Sequence, residues 1–219
     1  RADVLENLAA SIYKQGEQAN KLSDFKTAAG HFLRVAKAAP ASKIRPAADY
    51  DGATALMQLK DWDRAAEVLN AFRSNHAGHQ LQPEVTKKIA LAHKEAGNLA
   101  LAAAEYERVE TESKEEELRR GALSLAAELH EQAGQTERAV RVHRRYIEQF
   151  PRPLEFALEA RHKLARLYKS ANDGKSYFSE RRQIVDSDAR AGGERTDRTR
   201  YLAAVSAVAL TEPYYEKFA

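Results

Sequence analysis

His93 and His130 lie 37 residues apart, and His143 follows close behind the second of them. Imidazoles on neighbouring helices can hold a tetrahedral zinc, each through one ring nitrogen. A closed site needs four ligands. The chain has no cysteine and places no carboxylate at ligand spacing beside these histidines. The competing expectation is that His130 and His143 replace aromatic rings in an apolar core, with no metal and no other cofactor. His76 and His79, in "NHAGH", read as solvated loop residues.

Carboxylates are the next candidates. Glu110, Glu112, Glu115, Glu116 and Glu117 crowd the stretch "VETESKEEELRR". Paired carboxylates perform acid–base chemistry when burial splits their pKa values. Here they open a helical pattern, where negative charge complements the helix dipole. The sequence holds no Gly-rich phosphate loop, no nucleophile elbow and no zinc-protease motif. The glycines of "AGGERTDR" follow no strand pattern and read as a loop. No catalytic residue is assigned, and the expectation is a protein that is not an enzyme. The basic clusters "RVHRRY", "SERRQ" and "RTDRTR" are interleaved with acidic residues. That mixture predicts a salt-bridged, solvated face and argues against nucleic acid as the partner.

Composition points the same way. Of 219 residues, 43% are hydrophobic and 31% charged, enough to bury a core. With 35 basic and 32 acidic residues the net charge is only +3, too little for a strong polyanion field. Gly and Pro are scarce, at 10 and 6, in a chain rich in helix formers. No apolar run approaches the ~20 residues of a membrane span. The chain begins at Arg1 without a Met and stops soon after an apolar helical pattern; the expectation is a segment of a longer protein.

The elements that hold these residues follow from an internal period. Ala28, Ala65, Ala102 and Ala139 are 37 apart. Three residues before them stand Phe25, Trp62, Leu99 and Thr136; four after, Phe32, Leu69, Tyr106 and His143; seven after, Val35, Phe72, Val109 and Tyr146. Twelve before stand Gly16, Ala53, Ala90 and Ala127. An Ala with bulky residues at plus four and plus seven lines one stripe of a helix. The small residue twelve earlier belongs to a partner helix that approaches closely. Each unit is therefore a helix, a short turn and a second helix, and stacked neighbours must bury its stripe. Asp24 and Asp61 read as N-caps, Ser113 with Glu116 as a capping box, Gly97 and Gly134 as left-handed C-caps, and Pro46 and Pro83 as first-turn prolines. The first unit carries extra residues, "EQANKLS", between its helices. After Tyr168 the small-residue column is lost, although "NDGKSYFSERRQIVDSD" reads as a second helix and "RTRYLAAVSAVAL" as another first helix interrupted by Pro213.

The stretches "DWDRAAEVLNAF", "GNLALAAAEYERV" and "GQTERAVRVHRRYIEQFP" resemble the tetratricopeptide repeat, over about residues 5–170. The resemblance implies an all-α fold, a right-handed superhelical solenoid of antiparallel helix pairs over 1–219. Its units fall at about 4–40, 46–77, 83–114, 115–151 and 153–188, with a partial one at 196–219. "YIEQFPRPLEFALEARHKLARLY" is similar to envelope members of that family in Gram-negative bacteria, of the Tol-Pal coordinator and outer-membrane assembly lipoprotein type. This implies a periplasmic or outer-membrane-associated protein, the alternative being a cytoplasmic one. The family implies a concave groove, lined by first helices, that grips a peptide or protein. Projected through the register, the groove residues are Asn7, Ser11 and Lys14; Tyr50, Thr54 and Met57; Lys87, Leu91 and Lys94; Ser124, Glu128 and Glu131; and His162, Arg166 and Lys169. The expected function is a non-catalytic interaction scaffold. The alternatives are an RNA-binding helical repeat and a purely structural spacer.

Overall fold

The computed structural model describes residues 2–215. Every regular element among them is helical. The chain divides into two compact units, Arg1–Ser113 and Lys114–Ala219. The first holds three helix pairs: α1 (Ala2–Lys21) with α2 (Phe25–Ala38), α3 (Arg45–Gln58) with α4 (Trp62–Asn75), and α5 (Gln82–Glu95) with α6 (Leu99–Glu112). The second holds α7 (Glu116–Gln132) with α8 (Thr136–Gln149), α9 (Leu154–Ser170) with α10 (Gly174–Ala189), and then α11 (Asp197–Tyr215).

One turn recurs in all five pairs, and its backbone is the reason the pairs are alike. Ser23, Lys60, Gly97, Gly134 and Asn172 have φ of 59°, 59°, 80°, 71° and 57°. The residue after each donates its N–H back to the first helix: Asp24 to Ala19 O, Asp61 to Leu56 O, Asn98 to His93 O, Gln135 to His130 O and Asp173 to Tyr168 O, at 2.8–3.0 Å. The left-handed residue itself bonds three residues back, as in Lys60 to Met57 O and Gly97 to Lys94 O. Together these two bonds form a Schellman C-cap, which satisfies the orphan carbonyls of the first helix. Glycine takes this conformation freely, and asparagine tolerates it.

The second helices start at Phe25, Trp62, Leu99 and Thr136, in the expected register. Ala28, Ala65, Ala102 and Ala139 are all fully buried, and each N–H bonds the carbonyl four residues back at the cap. Their neighbours also match. Phe32, Leu69 and His143 are buried at plus four, and Val35, Phe72, Val109 and Tyr146 at plus seven. Two cores in the first unit show how neighbouring pairs share apolar side chains. Phe32 packs with Leu56 and Ala65, while Leu69 and Phe72 pack with Val85 and Ile89 of the following pair.

Several expectations change. "EQANKLS" is not an inserted link, because α1 continues unbroken to Lys21. The Ser113–Glu116 capping box does not form. Helix α6 runs to Glu112 and takes the Ser113 N–H into its last turn, so Ser113 is its C-cap and Glu115 the N-cap residue of α7. Asp24 caps as expected, accepting from Thr27 N at 3.1 Å. Asp61 sits at the N-cap without a side-chain cap bond, its carboxylate turned to Arg64 at 2.9 Å. The fifth pair keeps the architecture with Tyr177 in the alanine position, buried together with Ala165 and Ile184. Helix α11 continues past Pro213 to Tyr215.

Candidate functional site

In the first unit, α1, α3 and α5 lie in sequence, each the first helix of its pair. The Tyr13 hydroxyl donates to Asp51 across α1 and α3. Burial, then the Asp51 carboxylate, pushes the Tyr13 pKa upward. The Lys88 ammonium of α5 lies 5.1 Å from the Tyr50 ring centroid, a cation–π contact that joins α3 to α5. Burial raises the pKa of Tyr50, helped by Glu84 and Asp51. Burial lowers that of Lys88, against the pull of the same two carboxylates. Around this contact Tyr50, Thr54, Met57, Lys87 and Lys94 are half-buried, and Leu91 is 37% exposed. Lys87 pairs with Glu84 and Lys94 with Glu95 along α5 itself.

Asn7, Ser11 and Lys14 are exposed on α1. Because Ser23 and Lys60 occupy the same turn position, the residues of α1 that share the register of Tyr50, Thr54 and Met57 are Tyr13, Glu17 and Asn20. Lys14 aligns with Asp51 and Lys88, and Ser11 with buried Ala48. The contribution of Tyr13 and Lys88 was missed in the sequence, although counting back 37 residues from Tyr50 would have found Tyr13.

In the second unit the corresponding helices are α7, α9 and α11. Ser124 is half-buried, and Glu128 pairs with Lys163 of α9. Glu131 accepts from the other helix of its own pair: His143 Nε2 lies 2.7 Å from its carboxylate. Arg166 is exposed, while the Lys169 ammonium stands 5.3 Å from the Tyr177 ring centroid. His162 is drawn inward: its Nδ1 lies 3.0 Å from Arg181 Nη1. Arg181 occupies the plus-four place that Phe32, Leu69, Tyr106 and His143 hold elsewhere. It is only 6% exposed, donates also to Ser206 of α11 at 3.3 Å, and lies 5.1 Å from the Tyr177 ring. Nearby, Thr199 of α11 donates to buried Asp188 at 2.6 Å, and Arg195 bonds the same carboxylate at 2.8 Å. Burial opposes the Asp188 charge, but these bonds and the charges of Arg195 and Arg200 carry its pKa below the usual carboxylate range.

His130 and His143 are both core residues. Each has its own partner, His130 Nδ1 facing Gln135 Oε1 at 2.8 Å and His143 facing Glu131. Among the described residues no three His, Asp or Glu side chains converge as a metal would need. The arginines of "RTDRTR" are paired with carboxylates, Arg195 with Asp188, Arg198 with Glu159 and Arg200 with Asp197. No described helix is long and apolar enough to cross a membrane.

Recurring helix pairs closed by one turn define an all-α helical-repeat fold. Among solved structures the chain is similar to the MamA protein, at TM-score 0.51 and 15% identity, covering 83% of this chain and 94% of that one. It is similar to the TPR-like repeats of a putative kinesin light chain of Podosopora anserina, at TM-score 0.48 and 18% identity, covering 83% and 95% of the two chains. A third similar structure is the TPR2AB domain of yeast Sti1 in complex with pHSP90, at TM-score 0.43 and 14% identity, covering 94% and 85%. No protein-family model matches the chain, and no curated protein does. At these identities the likeness concerns the fold.

Proposed function

We propose that the chain is a non-catalytic scaffold that binds a protein or peptide on the face of its first helices. One observation carries the reading. On α3 and α5, half-buried Tyr50, Met57 and Lys88 and exposed Leu91 form a strip of aromatic, aliphatic and cationic groups, while Ala53, Leu56, Val85 and Ile89 of the same helices are buried in the core. Protein-recognition surfaces combine such groups, with aromatic anchors at their centre. A uniform basic track for a polyanion would lack the acidic residues Asp51, Glu84 and Glu95 that stand among these lysines. A place in the Gram-negative envelope is part of the same proposal and rests on the resemblance of residues 146–168 alone.

The test is capture of partners from a Gram-negative envelope extract by the immobilised chain and by the variant Lys87→Glu/Lys94→Glu/Arg166→Glu. Recovery of a specific protein should fall with the variant, and unchanged recovery would exclude these faces. Tight, steeply salt-dependent binding of single-stranded RNA would favour the RNA-binding alternative instead.

A further inference from the structure

A cleft of about 660 Å³ opens in the second unit where the chain enters α9. Its walls come from three places: Glu116 and Arg120 at the start of α7, the residues that begin α9, and Glu194 and Thr196 ahead of α11. Two contacts hold the walls together. Arg152 pairs with Glu194, and the Thr196 hydroxyl donates to Glu155 at 2.7 Å. The floor is apolar. Leu154 is anchored beneath, packed on the cluster of Leu158, Ile184 and Leu202. Phe156 is left 48% exposed, with the Arg120 guanidinium 5.5 Å from its ring centroid.

The charges of the rim are unequal in what they still need. Arg152 is neutralised by Glu194, and Arg120 rests over an aromatic face. Glu155 accepts the Thr196 hydroxyl and feels the charge of Arg198, which is itself paired with Glu159, and exposed Glu116 has no ion-pair partner among the described residues. An apolar floor beneath a rim with three carboxylates (Glu116, Glu155 and Glu194) and two guanidinium groups (Arg120 and Arg152) suits a side chain that is bulky and apolar with a cation beside it. The aliphatic stem of Lys or Arg can itself lie along such a wall. An acidic neighbour would be repelled.

We propose that this cleft docks a partner segment in which a bulky apolar side chain is followed by lysine or arginine. The apolar residue stacks on the open part of Phe156, and the cation lies between Glu116 and Glu155. The proposal deepens the reading of the chain as a protein-binding scaffold and rests on it, but it uses a different surface from the strip on α3 and α5.

Amide shifts of the ¹⁵N-labelled full chain, titrated with synthetic peptides, provide the test. The probes are Gly-Ser-Phe-Lys-Lys-Ser-Gly, its counterpart with Glu in place of Lys, and its counterpart with Ala in place of Phe. The first peptide should shift residues 116–120, 153–157 and 194–196, and the other two should not. Its affinity should fall at least ~10-fold in Phe156→Ala, as for loss of an anchor, and by roughly 3- to 10-fold in Glu116→Gln/Glu155→Gln. Both changes are at accessible side chains, and an unchanged melting curve verifies the fold. No shift in these residues, equal binding of the acidic peptide, or indifference to Phe156→Ala overturns the proposal. Partner capture that depends on Lys87 and Lys94 but ignores the cleft would leave the scaffold reading standing and remove the docking point alone.

Discussion

Arg181 donates from Nη1 to His162 Nδ1 at 3.0 Å, joining α10 to α9 through two groups that both carry positive charge once the histidine is protonated. Arginine only donates, so Nδ1 of His162 must be unprotonated here. Burial, then Arg181 together with Arg166 and Arg198, lowers the His162 pKa below its ordinary 6.5, against an opposing Glu159. The unfolded chain therefore binds the proton more readily than the folded one. Stability of the second unit is full above about pH 6.5. It declines as pH falls through that value towards the lower folded pKa. The urea midpoint of this unit, followed by hydrogen exchange of residues 154–210, should drop between pH 7.5 and 5.5. Arg181→Met should make the drop smaller, and an undiminished drop would rule out the pair as its source.

The five turns make a second prediction, because two of them use residues that the left-handed region disfavours. Lys60 has φ 59°, and for a non-glycine residue this costs about 1 kcal/mol. Lys60→Gly should raise stability by roughly 0.5 kcal/mol, the glycine's unfolded-state entropy offsetting part of the relief. Gly97→Ala and Gly134→Ala should cost about 1 kcal/mol each. A Cβ at either glycine meets nothing within 4 Å, so the loss would come from the backbone alone. Thermal melts of the three variants decide the sign.

Gly16 is constrained by contact instead. It holds the small-residue position opposite Phe32, and a Cβ built there would lie 2.7 Å from the ring. Ala53, Ala90 and Ala127 occupy the equivalent positions with their methyl groups accommodated. Helix propensity favours Gly16→Ala by about 1 kcal/mol, whereas overpacking costs about 1–3 kcal/mol. Net destabilisation is expected in urea unfolding, and the double variant Gly16→Ala/Phe32→Leu should recover most of it.

The two aspartate caps should behave differently. Asp24 accepts from Thr27 N, and the Thr27 side chain together with that backbone bond holds its pKa below the usual carboxylate value. Asp24→Ala should lower the denaturation midpoint clearly, as loss of a side-chain cap does. Asp61, turned to Arg64 on the surface, should cost less than about 0.5 kcal/mol when replaced by Ala. Equal losses in denaturant titrations would show that the side-chain cap at Asp24 contributes nothing.

The period was legible because helix packing needs the same sizes at the same offsets. Ala28, Phe32 and Val35 announce a buried stripe without any knowledge of distant contacts. The turns were half legible: Gly97 and Gly134 declare themselves, but Ser23 and Lys60 adopt the same backbone against their preference, held by packing on both sides. That is why "EQANKLS" looks like a link where α1 in fact runs on, and why Tyr13 does not stand out beside Tyr50. The fifth pair hid because Tyr177 fills an alanine's position and Arg181 an aromatic's, exchanges that make sense only with Ser206 and His162 in place. The cleft at Phe156 was invisible for a related reason: Glu116, Phe156 and Thr196 come together only through the fold.

The shared turn also makes the chain divisible. Lys60 and Gly97 have the same local backbone, and Trp62 and Leu99 each begin a second helix two residues later. Excising 61–97 would therefore splice α3 directly to α6 through an unaltered corner. In an architecture whose units cohere mainly through adjacent neighbours, such a shortened chain should still fold as a module, with one unit's worth of surface removed at a stroke.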